Sequence, residues 1–181
     1  MEVIEKFERT IAKHCGSKYG VAVDCCTHAI FLSLIFLKEK GELKEGDEIC
    51  VPSRTYRSVP LYVNHAGLKV VPVNVHWAGR YCLAPSRVWD SAVYFDKDIY
   101  VQDSFYCLSF QYRKTLPIGR GGMILTDDKD AVERLKEIVS EIRDLPAAVI
   151  LERLFQASFL FGEGGPWEDD ATAMIIKRAS M

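Results

Sequence analysis

Short apolar runs alternate with helix-patterned stretches along this chain, and that alternation leaves few folds open to it. Residues 19–23, 48–51 and 69–75 are brief and rich in β-branched side chains, which reads as strand. Between them, residues 28–40 and 58–66 read as helices, the first ending near Gly41. An amphipathic helix over residues 2–14, with Val3, Ile4, Phe7 and Ile11 on one face, precedes them and stops at Gly16. Strand, helix and strand in succession predict an α/β fold, a three-layer α/β/α stack around a mostly parallel sheet. Ligands gather at the C-terminal strand ends of such a sheet.

Further along, residues 105–110 and 122–125 read as a strand and its return strand, and Asp127-Asp128 opens a helix to about Glu141. Residues 76–85 carry no helical periodicity, and residues 87–92 read as a short strand bearing Asp90. After Pro146 the pattern fits a helix over residues 147–161, a glycine-rich loop and a short terminal helix. The expected organisation is one core over residues 1–145 and a short helical region over residues 146–181.

Composition narrows the function classes. The 181 residues suit a single domain with a real core, and a net charge of −2 gives no electrostatic case for nucleic acid. The longest apolar runs are too short to span a bilayer and the N-terminus is charged, so a cytoplasmic protein is expected. Six cysteines (Cys15, Cys25, Cys26, Cys50, Cys82 and Cys107) read as reduced thiols, several of them inside apolar strands. His14 beside Cys15, and His28 near Cys25 and Cys26, fall short of the four convergent ligands of a closed metal site, so no metal is expected.

Three turns concentrate the chemistry. Asp24-Cys25-Cys26-Thr27 joins a strand to a helix, where free backbone N–H groups and the helix dipole favour an anion. Thr27 is there either as a helix cap or as part of a phosphate site. Tyr56, in the loop after the second strand, either packs on its neighbours or stacks on a flat ring. The third turn runs Ser109-Phe110-Gln111-Tyr112-Arg113-Lys114 and then through Gly119, Gly121 and Gly122. A lysine held partly desolvated can form a Schiff base with an aldehyde cofactor, and Ser109 can offer its hydroxyl to a phosphate. Lys114 is thus a candidate for pyridoxal phosphate chemistry, with the glycines letting backbone pass where side chains would collide.

Taken in order, these elements resemble the DegT/DnrJ/EryC1/StrS family of pyridoxal phosphate-dependent sugar aminotransferases, a branch of fold type I. Phe7-Glu8, then Lys18 through Val23, then Thr27-His28-Ala29-Ile30 follow the family's N-terminal pattern. Gly46-Asp47-Glu48-Ile49-Cys50-Val51-Pro52-Ser53-Arg54-Thr55-Tyr56 matches its second motif, and residues 109–128 match its lysine motif. The resemblance extends over roughly residues 3–138. It implies an aspartate aminotransferase-like large domain, shortened, with the small C-terminal domain largely missing.

By position, the resemblance implies that Cys26, Thr27 and Ser109 bind the cofactor phosphate, Tyr56 stacks on the ring and Lys114 forms the Schiff base. An acid at the ring nitrogen completes the set. Asp90, at a strand end 24 residues before Lys114, is favoured over Asp103, which precedes it by only 11. The implied reaction is transamination of a keto group on a nucleotide-linked sugar, with glutamate or glutamine as donor, in a homodimer. Three departures favour an alternative, a non-catalytic relative acting as a binding or partner subunit. Residues 75–90 are short for the family, cysteine replaces the usual glycine at position 26, and no asparagine follows the lysine.

Overall fold

The computed structural model describes residues 2–144. Contacts divide the chain into two compact units, Met1–Lys136 and Glu137–Met181. The helix expected over residues 147–161, and the loop and short helix after it, lie outside the described residues.

Helix α1 (Glu2–Cys15) leads into strand β1 (Tyr19–Val23), and α2 (Cys26–Glu39) follows after two residues. Then come β2 (Glu48–Pro52), α3 (Ser58–His65) and β3 (Lys69–Val73). The second half supplies β4 (Tyr81–Cys82), β5 (Val88–Ser91), β6 (Phe105–Ser109), β7 (Gly122–Thr126) and α4 (Lys129–Asp144). Most expected elements fall within a residue or two of these limits. Strand β4 had no expectation, because two residues carry no periodicity.

Five strands form one sheet in the order β1-β7-β6-β5-β4, while β2 and β3 pair separately and in parallel. The fold class holds, but the sheet is mixed rather than mostly parallel. Only β5 and β6 run parallel in the larger sheet. The cause lies in the connections. Strand β7 returns from β6 and β5 returns from β4 without a crossover helix, so each pair is antiparallel, and β7 then meets β1 antiparallel on its other side. A backbone bond of 2.7 Å from the Cys50 N–H to the Ala84 carbonyl ties β2 to the segment just after β4.

Both faces of the central strands are covered, which is why β6 and β7 are buried along their whole length. Alternation sends Tyr106, Leu108 and Phe110 into a cluster with Ile11, Ala12 and Cys15 of α1, and with Met123, Leu125 and Ile99. The opposite face carries Phe105, whose ring lies 5.5 Å from Phe36 of α2, and Cys107, which contacts Ser33. Helix α2 is apolar over most of its circumference because it packs on the sheet with one side and on α3 with another. Glu8 is buried in α1, and its carboxylate accepts a 2.8 Å bond from the Ala22 N–H and pairs with Lys136 at 2.7 Å. The first bond fixes α1 against β1, and the second ties it to α4.

Gly122 marks the tightest approach. A Cβ there would lie 2.6 Å from the Cys26 nitrogen and 2.7 Å from the Cys25 oxygen. The first residue of β7 therefore passes directly against the backbone that starts α2, and only a glycine permits it.

Candidate active site

The C-terminal ends of β5 and β6 and the first turns of α2 and α3 surround one cleft of about 600 Å³. Cys26, Thr27, Tyr56, Asp90, Ser109 and Lys114, scattered over nearly ninety positions of sequence, all line it. Asp103 does not. It sits exposed in a turn with φ of 57°, its carbonyl accepting a bond from Arg87. Of the two candidate acids, Asp90 alone faces the cleft.

Asp90 is 6% exposed. Its Oδ2 accepts a 2.6 Å bond from the Tyr81 hydroxyl, and its Oδ1 accepts from the Ala92 N–H at 2.9 Å with the Cys26 Sγ 3.8 Å away. Each of these donors is neutral. Among the described residues no cationic side chain forms an ion pair with this carboxylate. A buried charge in that setting is costly unless something positive or strongly hydrogen-bonding meets it. Burial and the Asp90 charge push the Tyr81 hydroxyl well above the usual phenol range, so it stays a donor at any working pH.

One end of the cleft is built from two helix starts. Cys25, not Thr27, caps α2: it has extended backbone, and its Sγ accepts from the His28 N–H at 3.4 Å. The capping role considered for Thr27 is thereby excluded. Its hydroxyl instead meets that of Ser58, at the first position of α3, 2.8 Å away. Arg54, Arg113 and Lys114 line the same cleft, giving it an excess of positive charge around the single buried acid. Tyr56 is 75% exposed beside it, so it is not packed away as a core ring.

Cysteine at position 26 does not block the cleft floor. Its side chain turns inward, 6% exposed, with Sγ 3.5 Å from the Cys107 carbonyl, and burial raises its thiol well above the ordinary range. Asp24, Cys25 and His28 bring ligand-type atoms within 4.8 Å of one another. They form a hydrogen-bonded ion pair, however, with His28 Nδ1 2.6 Å from Asp24 Oδ1 and Arg120 3.6 Å from the same carboxylate, which leaves a cation poorly placed there.

Lys114 belongs to a loop closed at its base by bonds from Phe110 N–H to the Gly121 carbonyl and from Ile118 N–H to the Phe110 carbonyl, 2.9 and 3.1 Å. Within it the Lys114 N–H donates to the Gln111 carbonyl. Gly119 and Gly121 have φ of 98° and 139°, a region that side chains disfavour. Sequence reasoning missed Ser58, Thr55, Trp77 and Tyr81. Ser58 had one available signal, a hydroxyl at the start of the next helix after a strand, as with Thr27.

An α/β fold in which a lysine-bearing loop lies beside the start of a helix places the chain in fold type I. Residues 2–93 match the model of the DegT/DnrJ/EryC1/StrS aminotransferase family, and the chain belongs to that family. It is 27% identical to the spore coat polysaccharide biosynthesis protein SpsC of Bacillus subtilis, over 74% of this chain and 44% of that protein. To the GDP-perosamine synthase of Caulobacter vibrioides it is 25% identical, over 74% of this chain and 46% of that one. DesV of S. venezuelae, solved in complex with a ketimine intermediate, superposes with a TM-score of 0.61 at 26% identity, covering 73% of this chain and 46% of DesV. The chain thus spans less than half the length of these relatives.

Proposed function

We propose that this chain holds pyridoxal phosphate and contributes the cofactor site of an aminotransferase acting on a keto group of a nucleotide-linked sugar, with glutamate or glutamine as donor. The observation that carries the reading is Asp90: a buried carboxylate met only by neutral donors, lining the same cleft as Lys114. A protonated ring nitrogen is the positive partner that such a carboxylate calls for. The remaining residues fit the rest of the cofactor. Backbone N–H groups at the start of α2, with the Thr27 and Ser109 hydroxyls, suit its phosphate, and exposed Tyr56 suits its ring face. No helix among the described residues is long and apolar enough to cross a membrane.

Bound there, pyridoxal phosphate supplies an electron sink for charge developing at a substrate carbon. The chain's own residues do the rest. Asp90 holds the proton on the ring nitrogen and orients the ring, while the α2 terminus and its hydroxyls anchor the phosphate. Lys114 would be the residue that holds the cofactor through its amine. With its amine free, Lys114 Nζ would be the general base and then the general acid that moves the proton at the substrate carbon. The names of two relatives, a spore coat polysaccharide biosynthesis protein and a GDP-perosamine synthase, support a sugar substrate. A homodimer in the cytoplasm belongs to the same reading, and a non-catalytic partner subunit is its alternative.

The test is the absorption spectrum with added pyridoxal phosphate, wild type beside Lys114→Ala. The expected result is a visible band at about 420 nm in the wild type that the variant lacks. Such a band, followed by amination of a keto sugar with glutamate, establishes the enzyme. A band without turnover favours the partner subunit, and a free-like spectrum in both proteins overturns the cofactor reading.

A further inference from the structure

Position 81 lies in the stretch that carries no family motif, yet its side chain reaches the acid of the site. The Tyr81 ring is buried, 4.8 Å from Trp77 by ring centroids, and its hydroxyl lies 2.6 Å from Asp90 Oδ2. On its far side stands Thr55 Oγ1, 2.5 Å away, from the loop between β2 and α3. The register of the sheet puts it there, since Tyr81 and Asp90 are direct partners across the β4–β5 ladder.

We propose that Tyr81 is the positioning residue for Asp90, and that Thr55, Tyr81 and Asp90 form an ordered hydrogen-bond relay that holds the carboxylate in one orientation, aimed into the cleft. An ionised Asp90 has no proton to give, so the Tyr81 hydroxyl donates to it and the Thr55 hydroxyl donates to Tyr81. Donors committed in series polarise one another, which strengthens the terminal bond to the charged group. With Oδ2 occupied by Tyr81 and Oδ1 by the Ala92 N–H, the carboxyl group cannot rotate, and its remaining lone pairs are fixed in direction. The relay joins the β2–α3 loop to the β4–β5 hairpin, so the segment that is short for the family supplies the support for the acid. Tyr81 touches no reacting atom. It acts through Asp90.

This inference rests on the cofactor reading, and one set of titrations separates the two. Pyridoxal phosphate is titrated into wild type, Lys114→Ala, Asp90→Asn, Tyr81→Phe, Thr55→Val and the Tyr81→Phe/Thr55→Val double variant, and the visible band is followed against pH. Absence of a Lys114-dependent band in the wild type removes the cofactor reading and this inference with it. Given that band, Tyr81→Phe is expected to keep it. Its pH midpoint should move in the same direction as in Asp90→Asn, by less, with an affinity loss of about tenfold. Thr55→Val should move it the same way by a smaller amount, and the double variant should match Tyr81→Phe alone. A Tyr81→Phe midpoint equal to wild type, or additive effects in the double variant, overturns the relay. If circular dichroism shows Tyr81→Phe unfolded, Thr55→Val alone decides: a shifted midpoint supports the relay, an unchanged one overturns it.

Discussion

The hydroxyls of Thr27 and Ser58 lie 2.8 Å apart, each in the first turn of its own helix. Helices α2 and α3 therefore point their positive ends at one place, and the pair of hydroxyls stands between them with lone pairs and protons to exchange for a ligand's.

If that place takes the cofactor phosphate, Thr27→Val should weaken binding of pyridoxal phosphate by about tenfold while leaving binding of pyridoxal unchanged, since only the former has the anion. Ser58→Ala should act in the same direction and less strongly, because Thr27 keeps its hydroxyl. Absorbance titrations with the two compounds measure the ratio. An equal loss for both would assign the pair a purely structural role.

Gly122→Ala should cost about 2–4 kcal/mol of stability, because the new methyl would meet the Cys25–Cys26 peptide, which has no freedom to retreat. Urea denaturation gives the number. The same substitution should weaken pyridoxal phosphate binding more than its stability loss explains, since the displaced peptide begins α2. A stable variant with full affinity would show that β7 and α2 do not approach as described.

Much of the site was legible because its residues sit at chain features with local causes. Glu8 follows Phe7 in a motif, and its two bonds to Ala22 and Lys136 give that motif a physical reason. Asp90 stood at the end of a strand and Asp103 did not, and burial separates them as that difference implies. What stayed hidden was pairing across space. Tyr81 reaches Asp90 through a two-residue strand too short to show alternation, and Ser58 reaches Thr27 across two elements. Strand direction was hidden too, since strands buried on both faces read the same whether their neighbours run parallel or antiparallel.

Glu8→Ala should destabilise by about 2–3 kcal/mol, leaving the Ala22 N–H without its acceptor and Lys136 without its carboxylate. Glu8→Gln should cost less, because the amide oxygen still accepts from Ala22. Thermal or urea melts of both variants check the order. Equal losses in the two variants would mean that charge pairing with Lys136, and not the bond to β1, is what Glu8 provides.

His28 should give the fold a pH dependence of definite sign. Its ring is bound by Asp24 at 2.6 Å and faces Cys25 and Tyr62, and the bond to Asp24, then Cys25, raises its pKa to about 11 against the opposing effect of burial. Burial works against the Asp24 carboxylate, but His28 and Arg120 together outweigh it and hold that group below its usual range. A histidine whose pKa rises on folding contributes stability that is complete below its unfolded value of about 6.5 and fades as pH climbs toward about 11. On the acid side, the Asp24 share is lost as pH falls below the ordinary carboxylate range, through its lowered pKa. Both side chains are substantially exposed, 40% and 48%, so solvent limits the effect to about 1 kcal/mol. Urea unfolding of wild type and His28→Gln should therefore differ most near pH 6 and converge by about pH 10–11. A gap that stays constant across that range would mean that the ring stabilises the start of α2 by its contact with Tyr62, with no contribution from its charge.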